Sequence, residues 1–134
     1  MIKIYTDGAY SSLRDMGGYA FVVLKDEEKI YSYFFNEPNT TNNRMEIQAV
    51  ISALNWLYEN NYTEEEISIY TDSMYVIGSM TKNWKRNKNV ELFSELDDVF
   101  LKFKNVIFKH IKGHSGDKYN ELCDKLAVIA SQSK

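Results

Sequence analysis

The stretch Ile4-Tyr5-Thr6-Asp7-Gly8 has a near copy at Ile69-Tyr70-Thr71-Asp72-Ser73. An isoleucine stands two positions ahead of each, Ile2 and Ile67, so both segments read I-x-I-Y-T-D followed by a tiny residue. β-Branched and aromatic residues favour strands, and Asp before Gly or Ser is ordinary turn or helix-cap chemistry. That accounts for either copy alone. As a pair, the two segments describe neighbouring parallel strands that each end on a carboxylate. Ligand sites in open α/β sheets gather at the carboxyl ends of strands. Adjacent strands lie about 4.8 Å apart, so Asp7 and Asp72 are placed to share a cation. Mg²⁺ suits such a pair, because it takes oxygen ligands and keeps several waters.

The elements around these strands give the order. A second strand opens at Gly17-Gly18 and runs to about Lys25, Asp26-Glu27-Glu28 reads as a hairpin turn, and a third strand covers about Lys29 to Phe35. Short links between them imply an antiparallel meander. The period then becomes helical: Ile47, Val50, Ile51, Leu54, Leu57 and Tyr58 share one stripe. Met45, Ala49, Ala53 and Trp56 make the other side of this helix apolar, so it is expected to be covered on both faces. After the 66–71 strand come a short helix at 73–80, a helix carrying Leu92, Phe93, Leu96, Val99 and Phe100, a strand at 106–111 and a last helix at 117–131. Strands separated by helices pair in parallel through right-handed crossovers. The expected architecture is α/β: a five-stranded mixed sheet flanked by helices, with strands 1–3 antiparallel and strands 1, 4 and 5 parallel. Residues 1–134 read as a single domain.

Composition narrows the function classes. Net charge is −3, which by itself argues mildly against a polyanionic partner unless the positive charge is segregated. It is: Thr81-Lys82-Asn83-Trp84-Lys85-Arg86-Asn87-Lys88 interleaves basic residues with an aromatic, a pattern that grips phosphates and stacks on sugars or bases. A solvated loop with a locally packed tryptophan is the alternative. The lone cysteine, Cys123, rules out an intramolecular disulfide and a cysteine-based zinc cage. No apolar run approaches the roughly 20 residues of a membrane span, and no secretory signal is visible. A cytoplasmic protein without membrane contact is expected.

Other residues carry two readings each. Glu46, three residues after Asn43, resembles a capping box. Asp124 flanks the apolar stripe of the last helix, where an acidic residue is usually solvated. His114, in Lys112-Gly113-His114-Ser115-Gly116, is either a surface-loop residue or a mobile proton carrier with a near-neutral pKa. His110 and Cys123 read as structural.

In combination these segments are more specific. TDG at 6–8, GGY at 17–19, TTNNRMEI at 40–47, YTDS at 70–73, KGHSG at 112–116 and NELCDKLA at 120–127 together resemble type 1 ribonuclease H over essentially the whole chain. The resemblance implies that Asp7, Glu46, Asp72 and Asp124 are catalytic carboxylates binding two Mg²⁺ ions, with Mn²⁺ able to substitute, and that His114 assists proton transfer and product departure. It implies an endonuclease that hydrolyses the RNA strand of RNA–DNA hybrids to 5′-phosphate and 3′-hydroxyl ends. Gly8, Ala9, Asn42 and Asn43 match positions near the RNA strand, Thr41 a DNA-phosphate pocket, Met74 a minor-groove contact, and Trp84, with Lys85 and Arg86 beside it, the DNA-strand channel. The basic protrusion of many relatives is shortened here to TKNWKRNK, which implies reduced stand-alone affinity. Ser11-Ser12-Leu13-Arg14-Asp15-Met16 replaces their Gly/Pro/Asn-rich loop. A monomer is expected, and a polymerase or reverse transcriptase partner is compatible with this reading.

Overall fold

The computed structural model describes residues 1–113 and 116–132. Among them lie β1 (Ile2–Ser11), β2 (Met16–Lys25), β3 (Glu28–Pro38), α1 (Asn42–Glu59), β4 (Glu66–Thr71), α2 (Met74–Thr81), α3 (Val90–Phe100), β5 (Asn105–His110) and α4 (Lys118–Ser131). The sheet order is β3-β2-β1-β4-β5. β1 pairs antiparallel with β2 and parallel with β4, and β4 pairs parallel with β5. The expected mixed sheet is therefore present. The β2–β3 link is tighter than its acidic run implied: Asp26 and Glu27 both take positive φ and Glu28 already belongs to β3. Two consecutive left-handed residues match the right-handed twist of the flanking strands.

Alternation along the strands divides the core between two layers. Ile2, Ile4, Ile67 and Ile69 face α1, where they meet Val50, Leu54 and Leu57, together with Phe93 and Leu96 of α3. Tyr5, Ala20, Val22 and Leu24 face the other way, against Cys123 and Ala127 of α4. The apolar second side of α1 is also buried, with Met45 and Ala49 against Tyr19. Cys123 is structural, as its position implied: the buried thiol lies 3.2 Å from the Ala20 carbonyl and 3.4 Å from that of Tyr5, tying α4 to two strands.

One capping assignment is corrected. The N-cap of α1 is Thr41, not Asn43; its hydroxyl accepts from the Arg44 amide at 3.1 Å. Glu46 therefore lies in the second turn, too far along to close a capping box, and its carboxylate is free for another use. Ser73 does cap α2, accepting from the Val76 amide. The segment 82–89 joins α2 to α3 without forming a helix.

Helix α4 rests on β2 through Gly18. A Cβ there would stand 2.5 Å from the Ser131 amide nitrogen and 2.8 Å from Ala130 Cβ. Gly18→Ala is expected to lift α4 from the sheet and cost about 1–3 kcal/mol, the usual penalty for overpacking. Urea midpoints of the two proteins measure this, and an unchanged midpoint would refute so close a contact.

Candidate active site

In-register pairing of β1 with β4 ends with Tyr5 against Tyr70, and each segment carries its aspartate two residues further on. Asp7 is in β1, while Asp72 stands one residue past the end of β4. Glu46 reaches the same place from α1. Carboxylate oxygens of Asp7, Glu46 and Asp72 lie within 4.8 Å of one another. The close approach of α1 depends on Gly8, because a Cβ there would be 2.5 Å from the Glu46 amide nitrogen. Gly8 was expected to let the backbone approach RNA; its first constraint is internal, since it lets the helix bring Glu46 to Asp7.

The charge balance of this cluster is unfavourable without a cation. Asp7 and Glu46 are 3% and 6% exposed, and among the described residues neither is ion-paired to a basic side chain. Burial, the neighbouring Asp72 and the nearby Asp124 push the Asp7 carboxyl up to about 8, opposed only by the Gly8 amide, which donates to it at 2.9 Å. Burial first, then Asp7 and Asp72, hold Glu46 well above the usual carboxylate range. Among the described residues, Glu46 Oε1 is buried without a hydrogen-bond partner. An orphaned buried carboxylate oxygen costs several kcal/mol unless something positive meets it. A hard divalent cation fits this all-oxygen donor set.

Asp124 comes from α4 on the opposite side. It helps to raise the Asp7 carboxyl and shares a small cleft with Asp72, Gly113 and Asn120. The close set of three thus has Asp124 at its margin. Gly113 abuts Asp72, since a Cβ there would be 2.9 Å from Asp72 Oδ2. His114 lies outside the described residues.

A second feature borders α1. A groove of about 380 Å³ is lined by Thr41, Asn43, Tyr75, Lys85, Asn87, Lys88 and Asn89. Sequence reasoning singled out Thr41, Asn43 and Lys85 but missed Tyr75, Asn87 and Asn89. Asn89 organises one wall: its amide donates to Tyr75 Oη and accepts from Arg44, both at 3.1 Å, and its backbone is left-handed. An asparagine just before a helical stripe was the available signal, although here it makes no side-chain cap. Asn42 is exposed beside Thr41, Ala9 continues β1 past Gly8, and Met74 begins α2.

The basic segment divides into two roles. Trp84 is 45% exposed, and its ring occupies the space where Gly78 would carry a Cβ. It is half packed and half presented. Lys85 and Lys88 are exposed. Arg86, read as a substrate contact, turns inward instead: it forms a two-pronged pair with Asp97, donates to the Ser79 carbonyl at 3.0 Å and lies over the Phe93 ring. Its charge pins the segment to α2 and α3.

Comparison with known proteins agrees with this arrangement. The RNase H family model matches residues 1–132. The chain is 40% identical to a ribonuclease H of Caldicellulosiruptor saccharolyticus, covering 94% of this chain and 92% of the relative. It is 36% identical to a ribonuclease HI of Synechocystis, covering 98% and 88%. Its fold matches RNase H1 from the archaeon Halobacterium salinarum with a TM-score of 0.85 at 22% identity, covering 98% and 97%. It also matches LC11-RNase H1, solved in complex with an RNA/DNA hybrid, with a TM-score of 0.81 at 23% identity, covering 97% and 99%. With the acidic cluster, the sheet order and full-length similarity in agreement, the chain belongs to the type 1 ribonuclease H family.

Proposed function

We propose that this protein is an endoribonuclease that hydrolyses the RNA strand of RNA–DNA hybrids with divalent metal ions, leaving 5′-phosphate and 3′-hydroxyl ends. The observation that carries this reading is the meeting of Asp7, Glu46 and Asp72 within 4.8 Å, two of them buried. Together with Asp124, these carboxylates would hold two Mg²⁺ or Mn²⁺ ions. When bound, such ions neutralise charge at a scissile phosphate and lower the pKa of an attacking water.

The remaining roles belong to the chain itself. Asp7 is oriented by the Gly8 amide. Thr41 Oγ1 accepts from Arg44, which leaves its proton available to donate to a phosphate of the DNA strand. Lys85 and Lys88, in the same groove, add positive charge. Asn42 and Asn43, exposed on the first turn of α1, can bond 2′-hydroxyls of the RNA strand. Gly8, Ala9 and Met74 line its path, and the exposed part of Trp84 borders the DNA strand. Reading 2′-hydroxyls on one strand and a phosphate pocket on the other selects a hybrid by shape with little base readout. Arg86 serves by holding Lys85 and Lys88 in place. His114 is proposed to relay protons and speed product departure.

Cleavage assays with end-labelled substrates test this reading. The RNA strand of a hybrid should be cut in Mg²⁺ or Mn²⁺, with double-stranded DNA, double-stranded RNA and single-stranded RNA left intact. EDTA should abolish cutting, and Asp7→Asn should lower kcat by about 10³-fold, corresponding to several kcal/mol of transition-state stabilisation. Binding without cleavage in either metal, or cutting of DNA, would overturn it. Thr41→Ala and Lys85→Ala should raise KM several-fold with a smaller change in kcat, and the Lys85→Ala effect should shrink at high salt.

Stability provides a separate test of the metal site. The folded pKa of Asp7, about 8, lies above its unfolded value. Between about pH 4 and pH 8 the native state therefore binds more protons, and metal-free stability falls as pH rises through this window. In EDTA, Asp7→Asn should match the wild type near pH 4 and exceed it by about 1–3 kcal/mol near pH 8. Saturating Mg²⁺ should reverse that order. A pH-independent difference in thermal midpoint would refute the burden assigned to this carboxylate.

A further inference from the structure

The acidic cluster stands on the sheet face that carries α4, and that face continues past the helix as a basic, aromatic surface. Alternation places Lys3, Tyr5 and Asp7 of β1 on this side, with Ser68, Tyr70 and Asp72 beside them. Tyr5, itself buried, backs the half-buried Tyr70 ring in a stack with centroids 4.9 Å apart and planes 14° from parallel. Tyr119, in the first turn of α4, adds a third ring 5.9 Å from Tyr5. Three lysines surround these rings: Lys3 and Lys109 lie 6.0 and 5.7 Å from the Tyr70 centroid, and Lys118 lies 5.2 Å from that of Tyr119.

The acidic groups nearby are few and partly occupied. Lys3 pairs with Glu27 at 2.7 Å, and Glu27 is itself 68% exposed. Asp117 caps α4, accepting from the Tyr119 and Asn120 amides. Among the described residues, Lys109 and Lys118 pair with no carboxylate. Ile107, 48% exposed, extends the patch along β5. Nothing in the proposed hybrid contacts uses this surface, which lies across the site from the groove at Thr41 and Lys85.

We infer that this patch binds the single-stranded continuation of the RNA strand leaving the active site. The inference rests on the proposed ribonuclease activity. Tyr70 is two residues before Asp72, about 7 Å along the strand, the scale of one nucleotide step. A strand whose phosphate sits at the acidic cluster therefore meets Tyr70 and its lysines next. Lysines supply backbone attraction, and the half-buried Tyr70 and Tyr119 rings offer bases an aromatic surface that is indifferent to sequence. The patch also places positive charge on this side of the site, in a protein whose basic protrusion is short. It suits a substrate in which hybrid gives way to free RNA.

The test compares a blunt hybrid with the same hybrid carrying a single-stranded RNA extension of about ten nucleotides, at either end in separate substrates. Fluorescence anisotropy in EDTA gives Kd, and cleavage in Mg²⁺ gives KM. One extension should tighten both by about 3–10-fold at low salt, with the gain falling at a log–log slope of roughly −2 for three phosphates neutralised. The double variant Lys109→Gln, Lys118→Gln should reduce that gain to near unity. Lys102→Gln, whose lysine lies over Tyr58 at the end of α1, should retain it. If the wild type cuts blunt hybrid but neither extension changes Kd or KM, the inference is wrong and the ribonuclease reading stands. If no hybrid is cut, that reading falls, and the anisotropy ratios still decide whether the patch binds RNA. A gain that survives the double variant would also overturn it.

Discussion

Parallel pairing of β1 with β4 is the contact on which the rest of the site depends. It is an unfavourable arrangement held by a favourable one. Ile2, Ile4, Ile67 and Ile69, all at most 1% exposed, lock the register from the α1 side. The Tyr5–Tyr70 stack locks it from the other. Beyond them two carboxylates are forced together, and Glu46 is added from α1. A slip of one residue would turn the isoleucines outward and the aspartates to opposite faces. The hydrophobic pattern thus offsets the electrostatic strain of the clustered carboxylates.

Glycine makes the approach of the helices possible. Gly8 admits α1 and Gly18 admits α4, each at backbone contact distance. Those helices carry Glu46 and Asp124. The same logic holds Trp84 on Gly78, where the absence of a side chain gives the indole a seat beside the basic segment. Arg86 completes that seat by pairing with Asp97. Positive charge is therefore sorted by burial: one cation stabilises the segment while its neighbours Lys85 and Lys88 face solvent.

Much of this was legible beforehand. Alternating isoleucines announced strands, the 3.6-residue stripe from Ile47 to Leu57 announced a two-sided central helix, and Ser73 announced the start of α2. Glu46 was ambiguous because Asn43 three residues earlier is a valid capping pattern; Thr41 takes the cap instead, and the carboxylate goes to the site. Nothing within a few residues distinguishes Arg86 from its basic neighbours. Its partner Asp97 lies on another helix, and such pairings have no local signature.

By itself the sequence determined the order of elements, the faces of the strands and the pairing of Asp7 with Asp72, since these follow from periodicity read over a few residues, whereas Glu46 and Asp124 stand out only through the family resemblance. Tertiary structure alone decided which polar groups are buried. The raised pKa values of Asp7 and Glu46, the orphaned Glu46 oxygen, the inward turn of Arg86 and the lysine-ringed Tyr70 and Tyr119, backed by buried Tyr5, all arise from segments distant in the chain. Desolvation and Coulomb energies depend on distance in space, and that distance is settled only when the sheet and its helices close together.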